Sequence, residues 1–207
     1  MSQDELAKYF ADGGSAFIPL MQNGFDDYLA ARWLLLNQRP QRAGSLIHRA
    51  VECFLKGAIV LIERRYDEKQ LKAYGKTGHG LPQIWRDVKR RLGSKDSRFD
   101  ERVEQLQKWE ELRYPKLGRH QTLLFGRIAV PKVRDVSPHV SQSDTYRLSL
   151  DEVDELVAAI FSLLRPLNAR FFFVGVTDDM FDVYRCHNNH LLFDDPKRPT
   201  HAAAFEA

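Results

Sequence analysis

The stretch LIHRAVECFLKGAIVLI, residues 46–62, decides the fold. Its apolar residues Ile47, Val51, Phe54, Leu55, Ala58 and Ile62 recur at helical spacing, which sets them on one stripe of an amphipathic α-helix. Upstream, Pro40 suits a first helical turn, where its missing N–H would have no intrahelical partner. The spacing therefore predicts a helix from Pro40 to about Arg64.

The segments on either side follow the same period. Residues 16–37 place Phe17, Leu20, Met21, Tyr28, Leu29 and Leu35 at mixed intervals around Gly24, which predicts one helix or two. After a polar stretch with Gly75, Gly78 and Gly80, the residues Leu81, Ile84, Trp85, Val88 and Leu92 define another amphipathic helix, stopped by Gly93. A further helix opens near Ser97, turns Phe99, Val103 and Leu106 inward, and ends near Tyr114 because Pro115 follows. Ser149 and Glu152 form a capping box ahead of the apolar face Leu150, Val153, Val157, Ile160, Phe161 and Leu164, with Pro166 beyond.

Residues 116–147 lose the helical period and contain Pro131 and Pro138, so they read as a long basic loop with a short strand around residues 125–130. The C-terminal part holds Phe171, Phe172 and Phe173, then acidic residues, then a polar end from Pro196 that is expected to be loosely held. The expected fold is all-α: an up-and-down bundle of four to five helices over residues 1–175, followed by an irregular tail over residues 176–207. With 43% hydrophobic residues in a chain of 207, one substantial core can form.

Composition limits where such a chain works. Cys53 and Cys186 are too few and too far apart for a disulfide framework and fit the reduced thiols of a cytoplasm. No apolar run of signal-peptide length opens the sequence, and the richest apolar stretch, 156–164, falls well short of the roughly 20 residues that span a bilayer. No membrane role is expected. The net charge of +3 is unevenly spread. Residues 64–98 carry eleven bases against four acids, residues 113–134 carry six against none, and from Asp151 onward ten acids face five bases. Such basic stretches are ordinarily solvated faces, but they are also what a phosphate-bearing partner needs.

Four pieces in order, LIHRAVECFLKGAIVLI at 46–62, GHGLPQIW at 78–85, WEELRYP at 109–115 and SLDEVDELV at 149–157, resemble the HEPN superfamily of small helical bundles. The resemblance spans roughly half the chain, and each piece is mostly helix-core pattern. It implies a bundle that commonly forms a homodimer, in a superfamily of metal-independent ribonucleases and non-catalytic modules that bind RNA, nucleotides or a partner protein such as an antitoxin. In the nuclease branch an Arg precedes a His by four to six intervening residues. Arg113 with His120 and, more weakly, Arg42 with His48 match that spacing. The imidazole would move protons while the guanidinium holds the phosphate, and no cofactor or metal is implied. Pro115 and Gly118 interrupt any helix between Arg113 and His120, which departs from the nuclease pattern.

Each of these residues also has a structural reading. His48, Glu52 and Lys56 form a polar margin along the apolar face of their helix, which favours structural hydrogen bonds. Arg113 shares a helical face with Phe99, Val103 and Leu106, so a buried ion pair with Glu110 or Glu52 is favoured over phosphate binding. Cys186, His187 and His190, with Asp194 or His201, match no established zinc spacing and read as a polar surface turn rather than a metal site. His79 could cap the helix that follows it or contact a partner. The sequence contains no Walker loop, dinucleotide fingerprint, nucleophile elbow or HExxH motif. The expectation is a binding module for RNA or nucleotide, of a defence or toxin–antitoxin kind, using Arg86, Lys89, Arg90, Arg91, Lys116 and Arg119. A metal-independent ribonuclease and a protein-interaction module are the alternatives.

Overall fold

A computed structural model describes residues 15–74, 79–111, 122–127, 145–164 and 177–190. The elements run α1 (Ser15–Leu36), α2 (Pro40–Glu63), α3 (Glu68–Lys72), α4 (Leu81–Arg91), α5 (Asp100–Glu111), β1 (Thr122–Gly126), β2 (Thr145–Ser149), α6 (Leu150–Leu164) and α7 (Asp178–Arg185). Among the described residues the chain is a helical bundle with one small parallel sheet.

Helix α2 is its axis. More than half of its residues are buried, its exposed side carries Gln41, Arg42 and Arg49, and α1, α4, α5 and α6 pack against it. Phe54, Leu55, Trp85, Val88, Leu106 and Ile160, each expected in the core, are all buried. Two glycines allow the closest approaches. A Cβ on Gly24 would lie 2.7 Å from the Phe54 ring, and one on Gly44 would lie 2.0 Å from the Trp109 indole. Gly24 therefore does not split α1 into two helices; it leaves the notch that receives Phe54.

The ends of the helices obey local chemistry. Arg64 takes a left-handed conformation after α2, and Gly93, at φ +67, closes α4. Around Gly93 two amides return to the last turn: the Gly93 N–H donates to the Arg90 carbonyl and the Ser94 N–H to the Lys89 carbonyl. The Ser149 hydroxyl accepts from the Glu152 N–H at 3.4 Å and caps α6.

Helix α1 runs antiparallel to α2, and α5 antiparallel to α4, as alternation requires. The alternation is broken once, between α2 and α4. His79, ahead of α4, reaches Glu52, while Arg91 at the far end of α4 reaches Glu63 at the end of α2. Helix α4 therefore lies parallel to α2.

Two further differences from the sequence reading have physical causes. The strand expected around residues 125–130 lies at Thr122–Gly126 and pairs in parallel with Thr145–Ser149, Leu123 opposite Tyr146. A five-residue strand gives too short a pattern to register, and β2 is held by contacts remote in sequence: Trp109 Nε1 donates to the Arg147 carbonyl at 2.9 Å. The tail contains a helix, α7, capped by the Thr177 hydroxyl, which accepts from the Met180 N–H. Tyr184 of α7 is buried against Phe25 and Tyr28.

The docking of α7 rests on a buried polar network. Arg32 and Asp154, both essentially without exposure, form an ion pair. Arg32 also donates to the carbonyls of Val183 and Cys186, and the Tyr28 hydroxyl donates to Asp154 at 2.6 Å. Burial pushes the Tyr28 phenol well above its usual value, and the neighbouring Asp154 carboxylate pushes it the same way, so Tyr28 stays a donor. This network fastens α1, α6 and α7 together.

Candidate functional site

Three places gather ionisable groups. The first lies where α2, the start of α4 and the end of α5 meet. His48, buried at 1% exposure, has its Nδ1 3.6 Å from Glu110 and 3.9 Å from Glu52. His79 Nδ1 contacts both Glu52 oxygens, at 2.9 and 3.0 Å, and Lys56 completes the shell around that carboxylate. The polar margin read from sequence is thus real, and His79 belongs to it.

This cluster is poorly suited to a phosphate. Two carboxylates flank the imidazole, and His48 Nε2 is buried with no hydrogen-bond partner among the described residues. Burial pushes the His48 imidazole below its usual value, outweighing the upward pull of Glu110 and Glu52. As pH falls, the unfolded chain takes up this proton first, so the stability His48 contributes is complete above about pH 6.5 and is lost on acidification towards the folded value. Thermal melts from about pH 7.5 down to about pH 5.5 should show a falling midpoint that His48→Gln flattens. An identical slope in the variant would remove His48 as its source.

Arg42, the other member of the weaker Arg/His pair, does not join it. Six residues turn a helix through roughly 240°. Arg42 is exposed at the α1–α2 turn while His48 points inward towards α5. Arg113 and His120 lie outside the described residues, as do Lys116 and Arg119. Glu52, one of the two acids expected to pair with Arg113, is engaged by Lys56 and His79.

The second place is the basic side of α4. Arg86, Lys89, Arg90 and Arg91 do share this helix, but most are neutralised within the fold. Lys89 pairs with Asp100 and lies over the Trp85 ring, Arg90 pairs with Asp87, and Arg91 bridges Asp87 and Glu63. Arg86 makes no ion pair among the described residues; its Nε donates to the Pro82 carbonyl at 3.2 Å. Charge counting along the sequence overstates this surface, because Asp87 of the same helix, Glu63 of α2 and Asp100 at the start of α5 balance it.

The third place was not anticipated. A groove of about 540 Å³ runs between α5, β2 and the first turns of α6. Arg98, Arg102, Lys108 and Arg147 line it against two acids, Glu101 and Glu152. Arg98 and Arg102 both sit over the Phe99 ring, at 5.3 and 5.2 Å, and each reaches one carboxylate, Asp96 and Glu155. Lys108 has no carboxylate partner among the described residues. A signal existed: Arg98, Arg102 and Gln105 are spaced at helical intervals beside the apolar face of α5. Nothing local showed that β2 would close the other wall.

The tail histidines are engaged separately. Arg127 donates to His187 Nε2 at 2.9 Å, and His190 lies 3.4 Å from Asp151. Among the described residues no three potential ligands converge on a metal position. Asp194 and His201 lie outside them. Cys53 and Cys186 are free thiols, and burial pushes the Cys53 thiol up to about 11, which makes it a poor nucleophile. No helix among the described residues is long and apolar enough to cross a membrane. Comparison with known proteins finds no match to this chain among family models, curated proteins or solved structures.

Proposed function

We propose that this chain is a HEPN-like module that binds a phosphate-bearing ligand, RNA or a nucleotide, without cutting it, as one half of a defence or toxin–antitoxin pair. The observation that carries this reading is the groove between α5 and β2, lined by Arg98, Arg102, Lys108 and Arg147, in which Arg98 and Arg102 each also reach a carboxylate and Lys108 has no carboxylate partner among the described residues. The strand β1, paired to the groove wall, belongs to the stretch 113–134, whose sequence holds six bases and no acid. Binding is favoured over cleavage because the buried imidazole of the core, His48, sits between carboxylates that would repel a phosphate.

The test is fluorescence anisotropy of labelled single-stranded RNA with the full chain in EDTA, over a series of salt concentrations. Affinity should fall steeply with salt, as released counterions require. Arg98→Glu combined with Lys108→Glu should weaken binding at least about tenfold and flatten the salt slope by on the order of 1 to 1.5, since each lost phosphate contact on a single strand removes about 0.7. The RNA should remain intact. Products ending in a 2′,3′-cyclic phosphate would move the reading to a metal-independent ribonuclease, with Arg113 and His120 as the pair to mutate. Absence of binding at low salt would leave a protein-interaction module.

A further inference from the structure

We propose that Trp33 and the arginines of the α1–α2 turn form a second contact for single-stranded RNA, in which an unpaired base stacks on the Trp33 indole and Arg39 and Arg42 hold the neighbouring phosphates. This rests on the RNA-binding reading above and says which form of nucleic acid the chain selects.

Of the three tryptophans, Trp85 and Trp109 are buried and Trp33 is 53% exposed. Trp33 stands at the edge of a recess of about 800 Å³ whose lining includes Leu34, Asn37, Arg39, Arg42 and Leu123 and contains no acid. Arg39 and Arg42 are exposed and have no carboxylate partner among the described residues. That sets them apart from Lys89, Arg90 and Arg91, which the fold neutralises. An exposed indole beside uncompensated guanidinium groups is the pairing that single-stranded nucleic acid uses: every base offers a π-face, and the backbone needs cations beside it.

The turn that carries these groups is fixed by its backbone. The Asn37, Gln38 and Arg39 amides donate to the carbonyls of Trp33, Leu35 and Leu34, at 3.1, 3.1 and 2.8 Å. Gln38 takes a left-handed conformation, φ 59, which aims the chain into α2. The side chains are thus held on a rigid corner, so little backbone order would be lost on binding. An acidic peptide could use the arginines but would leave the indole without a stacking partner, and a duplex keeps its bases stacked inside.

The recess and the cationic groove are also neighbours. Leu123 of the recess lies on β1, and β1 pairs with β2, whose Arg147 and Leu148 line the groove. Paired strands lie only about 4.8 Å apart. One RNA strand could therefore cross the two-stranded ribbon, with phosphates in the groove and a base on Trp33.

The experiment titrates the full chain with a short oligoadenylate while following tryptophan fluorescence, the part due to Trp33 being the difference between wild type and Trp33→Phe. Quenching that saturates with the anisotropy signal is expected, and the matching duplex should not produce it. Trp33→Ala should weaken the oligoadenylate about tenfold, and Trp33→Phe, which keeps an aromatic face, should restore most of the affinity. Arg39→Glu with Arg42→Glu should weaken it too, with circular dichroism and melting temperature unchanged in every variant. If wild type binds and Arg98→Glu with Lys108→Glu abolishes binding, yet Trp33→Ala binds like wild type, the Trp33 contact is overturned and the groove stands. Failure of wild type to bind any RNA overturns both. Fluorescence changes that follow protein concentration or an acidic peptide, and not RNA, would assign Trp33 to a protein partner and overturn the proposal.

Discussion

Replacing Asp154 with alanine should remove about 3–5 kcal/mol of stability, because it leaves a guanidinium buried without its counter-charge. Arg32 has no exposure, and its donors are aimed at Asp154 and at two carbonyls of the α7 region. The Tyr28 hydroxyl would lose its acceptor as well. Denaturant melts give the magnitude, and limited proteolysis gives the location, since α7 is held through Arg32 and should be cut faster in the variant. Breaking a buried pair by one partner costs more than replacing both with apolar groups of similar volume. The double variant Arg32→Met, Asp154→Leu should therefore be more stable than Asp154→Ala. A loss below about 1 kcal/mol for Asp154→Ala would show that water reaches this pair and that it does not anchor α7.

Phe54→Ala is the second large effect, again about 3–5 kcal/mol, from lost burial together with the cavity left behind. Phe54 is fully buried, packs edge-to-face on Phe161 at a centroid distance of 5.0 Å, and fills the notch left by Gly24. That last contact makes the prediction specific. Gly24→Ala should destabilise the wild type, whose ring occupies the space, and should be better tolerated in the Phe54→Ala background, where the space is free. Additive losses in the double variant, read from denaturant midpoints, would mean that the notch is not what accommodates the ring.

How much of this was legible in the sequence depends on how far apart the interacting residues lie. The helix around residues 46–62, its onset at Pro40, the stop at Gly93 and the cap at Ser149 were all readable, because periodicity, missing donors and side-chain caps act over a turn or two of chain. The α7 helix carried its own signs, Thr177 ahead of Asp178 and Asp179, but eight residues give too little periodicity to separate from a tail. The margin of His48, Glu52 and Lys56 was visible as a stripe. That Glu52 would hold His79, and His48 would meet Glu110, was not.

The sequence by itself determined the long helices α1, α2, α4, α5 and α6 and the buried face of each, since hydrophobic burial follows composition along a period and needs no knowledge of the partner, while the short α3 and α7 were not read from it. The tertiary structure decided what each charge does. Arg32 meets Asp154 across 122 positions, Arg91 and Lys89 are neutralised by acids from other segments, and the groove exists only because β2 lies against α5. Electrostatic interactions fall off over a few ångströms of real space, so a residue's charge acquires a role only when packing has fixed its neighbours.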